Sequence, residues 1–188
     1  MASMDHDYHF LENLSWSLAH RFAASTWKTY AGVSLDYYRV PYDHDGRSSS
    51  SPHGHRLPNM RVDGMFMATC PKSEGITNVH AERMILDWLH NQVVNSKWPP
   101  ADRQLHTLHL FTFLSPCSGC ISWLWSFLHF LRQNGLMWRI RIVLGYSKWY
   151  TPWYTPPGDL IYPGPFLTFP WLYELQHYFP NFKVMKIY

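Results

Sequence analysis

Two stretches decide how this chain folds: Asn78-Val79-His80-Ala81-Glu82 and Phe113-Leu114-Ser115-Pro116-Cys117-Ser118-Gly119-Cys120. Together they form an H-x-E followed by a P-C-x-x-C. One imidazole and two thiolates suit a tetrahedral zinc site, with the fourth corner left to water and the carboxylate left unbound to handle protons. Ser115 is a good helix N-cap and Pro116 suits the first helical position, so Cys117 and Cys120 fall three apart in a first turn and face the same way. On the earlier helix Thr77 or Asn78 is the expected cap, which puts His80 and Glu82 in the opening turn. Residues two apart diverge around a helix axis, so those two meet only on something off the helix end. Two helix N-termini then face one ion, and their free N–H groups favour ionised thiols. Water on such an ion can reach a pKa near ~7.

Working outward, the segment 105–114 is apolar on both alternating faces, as expected of a strand covered above and below. Upstream, Ala81, Met84, Ile85, Trp88, Leu89 and Val93 make a helical stripe that ends before Pro99-Pro100. Downstream, a second motif helix runs to Asn134 with Gly135 closing it. Its Ile121, Trp123, Leu124, Trp125, Phe127, Leu128, Phe130 and Leu131 are apolar almost all round, which implies burial on several sides or a partner surface, self-association included. Residues 138–146 read as a buried strand, and strand, helix, strand with a short return implies a right-handed parallel crossover. A helix over 166–179 feeds a last strand, 182–188.

Toward the start, Leu11, Leu14, Leu18 and Phe22 predict a helix over about 8–25. Segments 28–40 and 60–69 are strand-like and are expected to pair as a hairpin. Between them 41–59, which includes four consecutive serines (Ser48, Ser49, Ser50, Ser51), reads as a mobile hairpin loop rather than a domain linker. The 188 residues fit one domain spanning 1–188.

His80-Ala81-Glu82 followed by Ser115-Pro116-Cys117-x-x-Cys120 resembles the zinc-dependent cytidine deaminase superfamily, and the order of elements is most similar to its AID/APOBEC polynucleotide branch, over about residues 14–188. The resemblance implies a three-layer α-β-α fold: a five-stranded mixed sheet, an antiparallel hairpin then parallel strands, with helices on both faces. It also implies one zinc ion per chain held by His80, Cys117 and Cys120, and Glu82 as the catalytic proton shuttle in turning cytosine to uracil in single-stranded DNA or RNA. Substrate contacts implied in the same way are Thr69, Asn78, Ser115, Tyr146, Trp149 and Tyr150, the last two within a Pro-, Tyr- and Trp-rich loop over 147–165 and Tyr146 just before it. The chain departs from that branch at Phe113-Leu114, where a tryptophan is usual before Ser-Pro-Cys.

Each signal has a plainer alternative. A closed structural zinc would need a fourth protein ligand, for which Cys70, His106 and His109 are the candidates. Glu82 could be a first-turn acid complementing the helix dipole, Asn78 a cap, and Cys70 a small buried residue. The loop rings could simply pack the loop down. Within enzymes, free cytidine and RNA adenosine are the competing substrates; outside them, a zinc-containing binding or restriction factor without catalysis.

Composition sets limits. Aromatic residues reach 18% and tryptophan 10 residues, enough for a core, a base-stacking groove or a sticky surface. A net charge of +3 and a pI near 8.7 permit nucleic acid, but Arg21, Lys28, Arg39, Arg56 and Arg61 are scattered rather than massed. Three cysteines, two of them in the C-x-x-C, argue for metal binding in a reducing compartment and against a disulfide framework. Residues 1–9 are polar and acidic, unlike a signal peptide, and no apolar run reaches the ~20 residues of a membrane span. An intracellular protein is expected.

Overall fold

The computed structural model describes residues 4–22, 30–36, 65–69, 80–149 and 165–188. In chain order these form α1 (Met4–Phe22), β1 (Tyr30–Leu35), β2 (Met65–Thr69), α2 (Ala81–Val94), β3 (His106–Leu114), α3 (Ser118–Gln133), β4 (Ile140–Lys148), α4 (Pro165–Tyr178) and β5 (Phe182–Lys186). The strands make a single mixed sheet in the order β2-β1-β3-β4-β5. β1 pairs antiparallel with both β2 and β3, so those two run the same way, and β4 and β5 continue parallel to β3. The expected hairpin pairing and parallel crossover are both present. Among the described residues no helix is long and apolar enough to cross a membrane. The segment 41–59 lies outside the described residues.

Alternation along the central strands divides the core in two. Leu108 and Leu110 of β3, with Ile142 and Leu144 of β4, join Ala81, Ile85 and Leu89 of α2 and Ile121, Leu124 and Leu128 of α3. The intervening Phe111 and Val143 meet Leu11, Leu14 and Leu18 of α1. A period of two in the strands and of 3.6 in the helices puts each set on its own side of the sheet. Gly145 lets α1 approach closely: a Cβ there would sit 3.0 Å from Leu11 Cδ1 and 3.1 Å from Ile187 Cγ1.

Both motif helices end in Schellman turns. After α3, Gly135 takes a φ of 68°, its N–H bonding Arg132 O while Leu136 N–H bonds Leu131 O. The expected closing glycine is thus in place. After α2 the same pair of bonds forms around Ser96, at φ 53°, without a glycine.

Several boundaries differ from the sequence expectation. α1 starts at Met4, a full turn early, because Asp7 faces inward: it is buried, with His109 Nε2 at 2.9 Å from its Oδ1 and the Arg141 guanidinium on its other oxygen. A polar first turn hides from an apolar periodicity. β1 stops at Leu35 because Asp36 turns the chain at φ 54° and spends its carboxylate on the Thr107 N–H, the His106 ring and the Trp98 indole. β4 runs to Lys148, two residues past the expected end, where its carbonyl accepts the Ser115 N–H ahead of α3.

Candidate metal centre

β2 and β3 both end at the same edge of the sheet, and each is followed in the chain by a helix that begins there. The first described residue before α2 is His80, and it is the N-cap, with extended backbone (φ −74°, ψ 150°). Cys117 is the N-cap of α3 in the same conformation (φ −73°, ψ 170°). Both helices therefore start later than the sequence suggests: Cys117 rather than Ser115 caps α3, and His80 caps α2, while Thr77 and Asn78 lie outside the described residues. The shift solves the divergence problem. A cap side chain projects beyond the helix end rather than around its barrel, so His80 reaches past α2 and Cys117 past α3, with Cys120 at the third helical position beneath.

The three ligand atoms lie within 4.8 Å of one another. His80 Nδ1 is 3.4 Å from Cys117 Sγ and 3.3 Å from Cys120 Sγ. Both cysteines are free thiols and buried, while the histidine is half-buried. Glu82, buried on the first turn of α2, brings Oε2 to 3.9 Å from Cys120 Sγ. These three groups could hold one metal ion, and soft sulfur with an imidazole nitrogen fits a transition metal far better than magnesium or calcium.

Electrostatics at the site follow from crowding. Two sulfurs in contact cannot ionise alike. The hydrogen bond from Cys120, with His80 beside it, brings the Cys117 thiol down to about 4 against the pull of burial. That same bond, then burial and the Glu82 charge, push the Cys120 thiol well up. A dication between them would favour thiolate at both. Burial raises the Glu82 carboxyl to about 7, outweighing its backbone hydrogen bond and the nearby imidazole.

Among the described residues no fourth His, Cys, Asp or Glu joins the group. Two of the three candidates for closing it are engaged elsewhere. His109 is fully buried against Asp7 on the α1 side. His106, at the far end of β3, has Nδ1 2.9 Å from Asp36 Oδ2 and Nε2 2.8 Å from Asp102 Oδ1. Cys70 lies outside the described residues.

The substrate-contact expectations are scattered. Asn78 and Tyr150 lie outside the described residues. Thr69 is the last residue of β2, opposite Tyr30. Ser115 is buried between β3 and α3, its N–H bonded to Lys148 O at 2.7 Å. Tyr146 is fully buried in the core, with its hydroxyl 3.3 Å from that of Tyr173, and Trp149 packs on it at a ring-centroid distance of 4.6 Å. A groove of about 450 Å³ between α2 and α3, lined by Leu86, His90, Asn91, Trp123, Phe127 and Phe130 among others, includes none of the site's four side chains.

Sequence reasoning missed two polar clusters, Asp7–His109–Arg141 and Asp36–His106–Asp102. A signal for them existed: two histidines on an otherwise apolar strand need buried or half-buried partners. A scan against models of protein families and a search of curated proteins both return no match to this chain.

Proposed function

We infer that this chain is a zinc-dependent hydrolase that deaminates cytosine to uracil in single-stranded polynucleotide, DNA favoured and RNA admitted, with a three-layer fold of the cytidine deaminase kind. The single observation that carries this is the convergence of His80, Cys117 and Cys120 within 4.8 Å, with a buried carboxylate beside them and no fourth protein ligand among the described residues. A structural site would be closed by a fourth side chain; a catalytic one keeps a corner for water. Zinc bound there would supply the Lewis acidity that makes water a nucleophile near neutral pH.

The chain's own residues do the rest. His80, Cys117 and Cys120 fix the position at which the attacked C4 of the base must arrive. Glu82, held in a dry pocket with its pKa brought up to about 7, is suited to take a proton from water and hand protons on to N3 and to the departing amine. Cytosine and water go in, uracil and ammonia come out, and Glu82 ends as it began. The test is a parallel assay of DNA oligomers, RNA oligomers and free cytidine with the zinc-loaded protein. Uracil in the oligomers supports the assignment; turnover of cytidine alone defeats the polymer substrate, and no uracil anywhere defeats the activity.

A further inference from the structure

α3 packs against both α2 and α4 on one face of the sheet, and from Ser118 to Leu131 it carries no Asp, Glu, Lys or Arg. That lack of charge extends to its outer side. Ser122 and Ser126 are exposed along the crest, one turn apart, with Ser126 Oγ donating to the Ser122 carbonyl at 3.0 Å. Two tryptophans flank them. Trp123, 40% exposed, leans toward α2, where the Arg83 guanidinium carbon lies 4.3 Å from its ring centroid. Trp125, 36% exposed, leans the other way, with the rings of Tyr178 and Phe179, at the end of α4, each 5.3 Å from its own. A helix that faces water ordinarily puts charge on its outer side, and apolar surface in its place marks an interaction site.

The same face holds a hollow beside a ridge. On the α2 side is the groove of about 450 Å³, lined by Leu86, His90, Trp123, Ser126, Phe127 and Phe130 among others. On the α4 side the rings of Trp125 and Tyr178, the latter 55% exposed, stand at the surface. At the α2 rim Arg83 and Asp87 are 3.8 Å apart, so their charges offset each other. Three helices about 21–24 Å long and about 10 Å apart make a face of roughly 700 Å². That is close to the ~800 Å² per partner of a stable interface.

Charge decides the partner. Where a chain meets its own copy about a two-fold axis, residues near the axis face themselves, so any charge there meets its like. An uncharged crest removes that repulsion, and it offers a different protein no charge to recognise. We propose that this face is a self-association surface, on which two copies of the chain pack α3 along α3 about a two-fold axis parallel to it. Such an axis carries the α4 side of each copy over the α2 side of the other, so the Trp125 and Tyr178 rings of one enter the groove of its partner. Ser126 of the two copies then meets at the axis. The inference goes beyond the deaminase assignment and does not depend on it.

The experiment is sedimentation of the zinc-loaded full chain over a dilution series, for the wild type and for Ser126→Glu, Ser126→Lys and their equimolar mixture, with the same two substitutions at Ser122 as a second set. The wild type is expected at twice its 22.3 kDa chain mass. Each charged variant alone is expected to raise the dimer dissociation constant by about 100-fold, because like charges face each other. The Glu and Lys variants mixed should dimerise again. Metal content and melting temperature stay unchanged, since both serines are exposed on an outer helix face. Trp16→Ser, which removes the exposed tryptophan of α1, should leave the dimer intact. A wild type that is monomeric throughout overturns the inference and leaves the face to a different protein. Dimers that survive both charged sets, a mixture that does not recover, or dissociation by Trp16→Ser overturn it as well. The deaminase assignment stands in every case.

Discussion

At the carboxyl end of β3, His80 meets two sulfurs, one of them beside a carboxylate; at its other end, along a strand about 27 Å long, His106 meets two carboxylates. The residue type is the same and the outcome opposite. Around His106 the imidazole bonds Asp36 and Asp102, and Asp36 also takes the Thr107 N–H and the Trp98 indole, so the cluster ties the turn after β1 to the start of β3. Around His80 the two thiols are driven apart, Cys117 down and Cys120 up, and a bound cation would favour thiolate at both. Polar groups that converge on each other build structure.

The largest expected effect lies at Glu82. Glu82→Gln keeps the shape and the metal but cannot move a proton, so turnover should fall roughly 10²–10⁴-fold with unchanged metal content and melting temperature. A variant that stays fully active removes Glu82 from the chemistry and leaves the three-ligand group as a purely structural feature.

Next comes the buried pairing on the α1 side. Asp7→Ala leaves the Arg141 guanidinium and the fully buried His109 without their acid, a loss of about 3–5 kcal/mol measurable by denaturant unfolding. Gly145→Val should cost about 1–3 kcal/mol, because the new side chain enters the 3.0 Å approach of Leu11 and α1 has to move outward. Metal content should survive the Gly145 change, since α1 packs on the opposite set of strand residues from α2 and α3; metal loss there would break the separation of the two regions.

The smallest effect is in the His106 cluster, and its sign is set by two shifts. Burial opposes the charged His106 ring, but hydrogen bonds to Asp102 and Asp36 win and hold its pKa above the usual histidine value. Its contribution is complete below about pH 6.5 and is lost as pH rises through the raised value. Asp102 is held below the usual carboxylate value, chiefly by its bond to His106, so its share is complete above about pH 3.9 and is lost as pH falls through the lowered value. Stability should therefore have a plateau between those limits, and His106→Gln should flatten the alkaline shoulder. A shoulder that is unchanged in the variant would mean the two carboxylates do not hold the ring charged.

Much of the architecture was legible because it rests on periodicity. The stripe through Ala81, Ile85 and Leu89 and the run Leu108 to Phe111 can be buried in few other ways, and both are buried. Gly135 marked the end of α3 because few other residues accept its backbone angle cheaply. The caps were not legible, since Ser115 and Asn78 are better caps by intrinsic preference than a histidine or a cysteine. Local preference yields here to where the ligand atoms must point. That His80, Cys117 and Cys120 come together was legible from residue type and spacing. The removal of His106 and His109 as rival ligands was not, because their partners Asp7, Asp36 and Asp102 lie 102, 70 and 4 positions away in the chain.

Zinc K-edge absorption on the purified, folded chain, with elemental analysis of the same sample, tests the central claim most directly. The account predicts about one zinc per chain with one nitrogen and two sulfur neighbours, sulfur at about 2.3 Å, and one exchangeable oxygen that His80→Ala and Cys117→Ala abolish together with the metal. A folded protein without metal, or a zinc enclosed by four protein side chains, would contradict it.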